Sequence, residues 1–206
     1  MAEAPRAREA SLDAARLAFR RLRLEDLPLL HRWLSDGPAR EWYARREMTY
    51  EEVEEHFRAY ISGARPTHAF LALYEGEPIA YLQYYLIRDY PEYSRQIREC
   101  PCCAGVDVFI GDQRFLHRGL GAPMLRRFLA EVVFAETDAE CCLVGPDETN
   151  RAAIRCYEKA GFAFVKRVQA EGEPHPGHLM RVERAALLPA ADGTPPTPEE
   201  GGRPHA

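Results

Sequence analysis

Residues 106–134 constrain the fold most, because an apolar strand, a glycine-containing turn and a periodic helix follow one another there. The strand covers residues 106–110, and Gly119 and Gly121 lie where the helix begins. Glycine lets a backbone approach a ligand closely, and the unpaired N–H groups of a first helical turn attract anions. The stretch therefore predicts a cradle for a pyrophosphate group, with an ordinary tight turn as the alternative. The apolar residues of the helix share one face: Leu120, Met124, Leu125, Phe128, Leu129, Val132 and Val133.

A second stretch, residues 150–162, predicts a helix capped by Asn150 and ended by Gly161, with a strand starting at Phe162. Taken with the turn at 118–121, it resembles the acetyl-CoA site of the GNAT N-acetyltransferases. The upstream segments 76–83 and 105–107 narrow the resemblance to the aminoglycoside 6'-N-acetyltransferases and the neighbouring siderophore-lysine acyltransferases. The resemblance covers about residues 18 to 184.

The order of predicted elements, β-α-α-β-β-β-α-β-α-β-β, fits a mixed sheet with helices on both faces. The resemblance implies a single-domain α/β GNAT fold with a twisted mixed sheet of about seven strands. It also implies that the central strands splay apart beside the glycine turn, and that the pantetheine arm of the cofactor lies in that gap. We expect a frayed or disordered leader over residues 1–16, the domain over 17–186 and a disordered Pro/Gly-rich tail over 187–206.

The net charge and the absence of long apolar runs limit the classes of partner and the cellular location that the sequence allows. A net charge of −5 argues against a nucleic-acid partner, because such proteins carry a basic face, and it suits a cationic substrate. No apolar run is as long as a membrane span, and the first residues lack a basic region followed by an apolar one. The sequence therefore predicts a cytoplasmic protein. The resemblance implies a small-molecule amine as its partner, and we expect a monomer or homodimer.

The six cysteines predict neither a metal site nor a disulfide framework. Three cluster at 100–103, two stand at 141–142, and Cys156 lies in a predicted helix. A zinc site would favour two Cys-x-x-Cys pairs or cysteine and histidine at zinc-finger spacing, and neither occurs. Reduced thiols are expected in a reducing compartment, with a disulfide from the 100–103 segment as the alternative. The whole charged and aromatic stretch 88–103 has no clear period and predicts a long loop of the functional kind.

Asp107 is the strongest candidate for a catalytic residue, because a carboxyl group in a buried strand must be paired or face a cleft. Burial raises the pKa of a carboxyl group and makes it a better base. The resemblance implies an acid at this position that orients or deprotonates the amine, and it implies that Tyr157 protonates the leaving sulfur. The alternatives are a salt-bridged aspartate and a tyrosine whose ring belongs to the core.

The resemblance also assigns the binding residues, with backbone N–H groups holding the thioester carbonyl and the pyrophosphate. The predicted cofactor-binding residues are Val108, Phe109, Ile110, His117, Arg118, Gly119, Leu120, Gly121, Ala122, Asn150, Ala153 and Tyr157. Carboxylates and aromatic faces suit a polycationic amine. The predicted substrate-binding residues are Trp42, Tyr43, Gln83, Tyr85, Glu92 and Asp107.

The resemblance thus implies transfer of an acetyl group from acetyl-CoA, without a metal, to the 6'-amine of an aminoglycoside. A siderophore hydroxylysine, a protein or peptide amine, or non-catalytic binding of an acyl-CoA are the alternatives. One departure weakens the aminoglycoside assignment: Gly145 stands before Pro146, where the aminoglycoside enzymes often carry an acid. Asp147, just beyond, is the residue that would compensate.

Overall fold

The computed structural model describes residues 12–169 and 174–188, which contain one seven-stranded sheet in the order β1-β2-β3-β4-β5-β7-β6. Every neighbouring pair is antiparallel except β4 and β5, which run parallel. The predicted single-domain α/β fold with a mixed sheet is confirmed. The strands are Leu17–Arg21 (β1), Thr67–Tyr74 (β2), Glu77–Leu86 (β3), Cys103–Ile110 (β4), Cys141–Val144 (β5), Ala163–Val168 (β6) and Gly177–Glu183 (β7).

The helices begin and end largely where local sequence signals predict. Thr49 and Glu52 form a reciprocal capping box, and Gly161 ends a helix with a φ of 104°. The helices are Leu27–Ser35 (α1), Tyr50–Ile61 (α2), Pro91–Ile97 (α3), Gly121–Phe128 (α4), Phe134–Glu136 (α5), Arg151–Ala160 (α6) and Arg184–Leu187 (α7). A π-helical segment, Leu129–Val133, joins α4 to α5, so the helix predicted over 120–134 is not regular throughout.

The sheet has a hydrophobic core on each face, because side chains alternate along every strand. One core joins the sheet to α4 and α6, and its fully buried members include Leu82 and Phe128. The other joins the sheet to α1 and α2, and it includes Leu30, Phe57 and Tyr81. Helices therefore cover both faces, as predicted.

Strands β4 and β5 pair only at their first residues. The parallel ladder runs from Cys103 opposite Cys141 to Gly105 opposite Leu143, whereas β4 continues beside β3 as far as Ile110. Residues 106–110 therefore border a gap on the side where β5 no longer accompanies them, which is the predicted splay.

The segment predicted as a loop over 88–103 contains helix α3, so that prediction is wrong. Pro91 lies in the first turn, where its missing N–H costs no helix hydrogen bond. Ile97, at the other end of α3, is buried. The alternation of apolar residues from Leu17 to Leu24 predicts a strand of that length, but β1 ends at Arg21, and Leu24 lies in a 3₁₀ turn with 44% of its surface exposed.

The prediction of reduced thiols is also wrong for four cysteines, since the structure pairs Cys100 with Cys102 and Cys103 with Cys141. Cys103 and Cys141 lie opposite each other in the β4–β5 ladder with Cα atoms 4.8 Å apart, within the range a disulfide bridges. Cys142 and Cys156 are free.

Most of the predicted leader and tail lies outside the described residues. Within the described residues, Ala14–Arg16 form a 3₁₀ turn and Leu187 ends α7. Among the helices of the described part of the chain, none combines the length and apolar character needed to cross a membrane.

Candidate active site

Asp107 lies on β4 beside the gap, on the face of the sheet that carries α1 and α2. Its partner in the antiparallel register is Gln83 of β3, whose Nε2 donates a hydrogen bond to Asp107 Oδ2 at 2.7 Å. Burial raises the pKa of Asp107, and the hydrogen bond from Gln83 opposes the rise. A carboxyl group in this state binds a proton more readily than an exposed aspartate does, which is what a general base requires.

Two tyrosine hydroxyls fix the orientation of the Gln83 amide. Tyr81 and Tyr43 both donate to Gln83 Oε1, at 2.6 Å and 3.2 Å, which leaves Nε2 to face Asp107. The Gln83 amide bonds to these protein groups, and its predicted contact with a substrate stays a prediction. Tyr81 was missing from the predicted site. Side chains alternate along β3, so Tyr81, Gln83 and Tyr85 lie on one face of the strand. This alternation could have predicted Tyr81 from the sequence.

The charge of Asp107 acts on tyrosines from several elements. Burial is the larger cause that raises the pKa of Tyr93 on α3 to about 12, and the negative charge of Asp107 is the second cause. Burial and then the charge of Asp107 also raise the pKa of Tyr85 on β3. The same two causes, in the same order, raise the pKa of Tyr157 on α6. All three phenols therefore keep their protons at neutral pH and can only donate them or accept hydrogen bonds. Tyr157 belongs to the core on the face of α4 and α6, whereas Tyr43 packs against the core on the face of α1 and α2.

The predicted substrate-binding residues fall into two groups. Tyr43 belongs to a π-helical turn, Arg40–Ala44, and packs its ring on Phe109 at 4.8 Å, next to Asp107. Tyr85 lies over Gly105, where any larger side chain would overlap its ring. Trp42 and Glu92 are exposed, and their contact with an acceptor stays a prediction.

The glycine turn has two residues in the left-handed backbone region and leads into a helix without a capping side chain. His117 and Gly119 have φ angles of 58° and 81°, and α4 begins at Gly121 without a side-chain cap hydrogen bond. The N–H groups of its first turn are therefore not satisfied by a capping side chain. Gly121 has a further role that the sequence does not reveal, because a Cβ atom there would lie 2.7 Å from Cys156 Sγ on α6.

The turn before α6 is organised by its own side chains. Asn150 Oδ1 accepts from Ala153 N at 3.0 Å and caps α6, as predicted. Asp147 Oδ1 accepts from the backbone N and the hydroxyl of Thr149, and its carboxylate lies 3.9 Å from the Arg45 guanidinium. The expectation that Asp147 compensates for Gly145 stays a prediction.

Comparisons with known proteins agree with this geometry. The chain is 30% identical over 139 residues to an aminoglycoside N(6')-acetyltransferase type 1 of Klebsiella pneumoniae, covering 66% of this chain and 69% of that protein. It is 28% identical over 159 residues to a lysine N-acyltransferase of Mycolicibacterium paratuberculosis, covering 72% of this chain and 66% of that protein. A crystal structure of an aminoglycoside acetyltransferase with coenzyme A and kanamycin matches with a TM-score of 0.73 and 29% identity, covering 83% of this chain and 96% of that one.

A family model described as an acetyltransferase (GNAT) domain matches residues 23–170. That range contains Asp107, the glycine turn and α6. The chain therefore belongs to the GNAT acetyltransferase family.

Proposed function

We propose that this chain transfers the acetyl group of acetyl-CoA to a primary amine of a cationic small molecule, the 6'-amine of an aminoglycoside. The observation that carries the proposal is Asp107, a carboxyl group with a raised pKa held by Gln83 at the edge of the gap. Two relatives named for aminoglycoside acetylation support the acceptor class. The proposed catalytic unit is residues 17–186, acting in the cytoplasm as a monomer or homodimer.

Asp107 accepts a proton from the acceptor amine in this proposal. An ammonium group has no free electron pair, so it must lose a proton before its nitrogen attacks a carbonyl carbon. The buried position of Asp107 favours this step, because it raises the affinity of the carboxylate for that proton. Gln83 is a positioning residue that keeps Oδ2 in place and leaves Oδ1 available to the amine.

The gap beside residues 106–110 and the turn at 117–122 fit a nucleotide thioester. Backbone N–H groups of the first turn of α4 would hold the pyrophosphate, since no side chain caps them. When bound, acetyl-CoA supplies an activated acyl group with a thiolate as the leaving group. The backbone N–H groups of Val108 and Phe109 would stabilise negative charge on the carbonyl oxygen.

Tyr157 protonates the leaving thiolate. Its phenol is buried and stays protonated at neutral pH because its pKa is raised, so its hydroxyl is ready to donate. Asp107 and Tyr157 approach the gap from opposite faces of the sheet, which allows one to take a proton while the other gives one. This arrangement favours catalysis over mere binding of an acyl-CoA.

In this proposal, acidic and aromatic groups hold the acceptor. Trp42, Tyr43 and Tyr93 offer ring faces, and Glu92 offers a second carboxylate at the start of α3. A lysine-type amine is the second candidate acceptor, favoured by Gly145 in place of an acid and by the similarity to a lysine N-acyltransferase.

The test measures thiol release from acetyl-CoA with three groups of acceptors: kanamycin-type aminoglycosides, lysine derivatives including hydroxylysine, and short peptides. We expect turnover with the aminoglycosides and a product carrying one acetyl group on the 6'-amine by NMR. Turnover with lysine derivatives alone would replace the first candidate by the second. No turnover with any acceptor, by protein that binds coenzyme A, would refute catalysis.

A further inference from the structure

Four of the six cysteines converge at one place that the proposed reaction does not use. Cys100 pairs with Cys102 and Cys103 with Cys141, and the Sγ atoms of Cys102, Cys103 and Cys141 all lie within 4.8 Å of one another. We call these four residues the thiol cluster. It lies at the first pair of the β4–β5 ladder, about 13 Å along β4 from Asp107.

Three of these cysteines lie in one tight turn that backbone hydrogen bonds hold closed. Cys100 and Cys103 have the Cys-x-x-Cys spacing of structural zinc sites, and Cys103 N donates to Cys100 O at 3.1 Å to close the turn. Cys102 N donates to Cys100 Sγ at 3.2 Å, a contact that stabilises a thiolate. Glu140 N donates to Cys102 O at 3.1 Å, which ties the turn to the residue before Cys141.

A disulfide between Cys100 and Cys102 does little for the fold. Its partners are separated by 2 positions in the sequence, and the stabilisation from cross-linking grows with the length of the closed loop. Both residues are also partly exposed, whereas Cys103 and Cys141 are buried. An external dithiol can therefore reduce the Cys100–Cys102 bond first, giving up two electrons and two protons and becoming a disulfide itself.

Reduction of that bond opens a route to the buried pair. The freed Cys102 thiolate lies beside Cys103 and Cys141 and can attack their disulfide, after which Cys100 displaces the mixed disulfide and re-forms its bond with Cys102. A second external dithiol reduces that bond again, so two dithiols in total leave four thiols at one place. Four adjacent thiolates repel one another unless a cation lies between them.

We propose that the reduced thiol cluster binds one zinc ion through Cys100, Cys102, Cys103 and Cys141. Zn–S bonds of about 2.3 Å put the sulfurs of a tetrahedral site about 3.8 Å apart. The Sγ atoms of Cys102, Cys103 and Cys141 already lie within 4.8 Å of one another, and Cys100 Sγ is held beside Cys102 by their disulfide. The four thiols lose their protons to solvent as the ion binds. The ion ties the segment after α3 to the start of β4 and β5 and takes no part in acetyl transfer, so the proposal is independent of the function above.

The test titrates the full-length, metal-free, reduced chain with Zn²⁺ or Co²⁺ alone. We expect saturation at one ion per chain, thiolate-to-cobalt charge transfer with the visible bands of tetrahedral Co²⁺, and displacement of Co²⁺ by Zn²⁺. Bound zinc should also protect the four cluster cysteines, but not Cys156, from alkylation mapped by mass spectrometry. Absence of saturable binding would overturn the proposal, and so would disulfides that persist under the reductant.

Single substitutions assign the ligands. Cys100→Ser and Cys102→Ser affect partly exposed residues, so we expect folded proteins whose zinc affinity is at least about tenfold weaker. Cys142→Ala and Cys156→Ser are the matched controls, since both residues are free cysteines outside the cluster, and both variants should bind like the wild type. Wild-type affinity in the first two variants, or loss of the ion in the controls, would refute this assignment.

Discussion

Replacing Gln83 with Met tests whether Gln83 tunes Asp107 or only fills space. Methionine has nearly the same length but cannot donate the 2.7 Å hydrogen bond to Asp107 Oδ2. Since that bond stabilises only the ionised carboxylate, its loss raises the pKa of Asp107 further. A hydrogen bond to a charged group contributes about 1.5–3 kcal/mol, which corresponds to a factor of about 10–100 in the ionisation equilibrium.

The effect on rate therefore depends on pH. On the acidic limb of the profile, where kcat/KM is proportional to the ionised fraction of Asp107, we expect the Gln83→Met variant to be slower by about 10–100-fold at each pH. At higher pH the variant should return toward the wild-type rate, because both carboxyl groups are then ionised. The whole profile should therefore move to higher pH rather than fall evenly.

The assay follows thiol release from acetyl-CoA against pH with one acceptor, and the ratio of variant to wild type cancels the ionisation of the acceptor amine. Tyr43→Phe should give a smaller displacement in the same direction, since Gln83 Oε1 keeps the hydrogen bond from Tyr81 at 2.6 Å. Tyr84→Phe is the matched control, because it removes a hydroxyl bonded to Glu136 from the opposite face of β3. A loss that is equal at every pH would refute the reasoning.

Three further substitutions separate the remaining roles. Asp107→Asn should lower kcat by about 100-fold or more with little change in coenzyme A affinity. The pKa of Asp107 is raised in the folded state, so its ionisation lowers the stability of the wild type as pH rises. Asparagine does not ionise, and the variant should therefore gain thermal stability over the wild type between acid and neutral pH. Unchanged turnover would exclude Asp107 as the base. Tyr157→Phe should lower kcat by about 100-fold, and by less with an acetyl thioester of a more acidic thiol; equal losses with both thioesters would exclude a proton donor. Gly119→Val should raise the KM for acetyl-CoA, whereas Gly63→Val, with a similar φ of 75° at the end of α2, should cost stability only, as measured by thermal unfolding and KM together.

Local chemistry explains which features the sequence predicts. The capping side chains of Thr49 and Asn150 and the terminal glycine Gly161 act within one helical turn, so their residue types are enough. The importance of Asp107 can also be predicted from the sequence, because a carboxyl group between apolar neighbours in a strand must be paired or face a cleft. The family resemblance supplies the splayed strands, which no local pattern encodes.

Features that depend on register and packing between distant segments could not be predicted. Cys103 and Cys141 are separated by 38 positions, and only the alignment of β4 with β5 makes them opposite neighbours. The contact of Gly121 with Cys156 depends on how α4 and α6 pack. In the sequence, a glycine at the start of a helix indicates a ligand contact. The structure adds a second requirement, because a Cβ atom at Gly121 would overlap Cys156 Sγ.

The alternation of side chains along β4 supports placing the proposed site at the gap. Val106 and Val108 point toward α4 and α6, whereas Asp107 and Phe109 point toward α1 and α2. A continuous sheet would therefore separate the carboxylate from the cradle at α4, because the two lie on opposite faces. Because β5 no longer pairs with β4 after Leu143, the proposed reaction has a thioester at the glycine turn reach the edge of β4 from one face and an amine reach it from the other. A shift of register by one residue would turn Asp107 into the core of α4 and α6, so the pairing of Gln83 with Asp107 fixes both the fold and the chemistry.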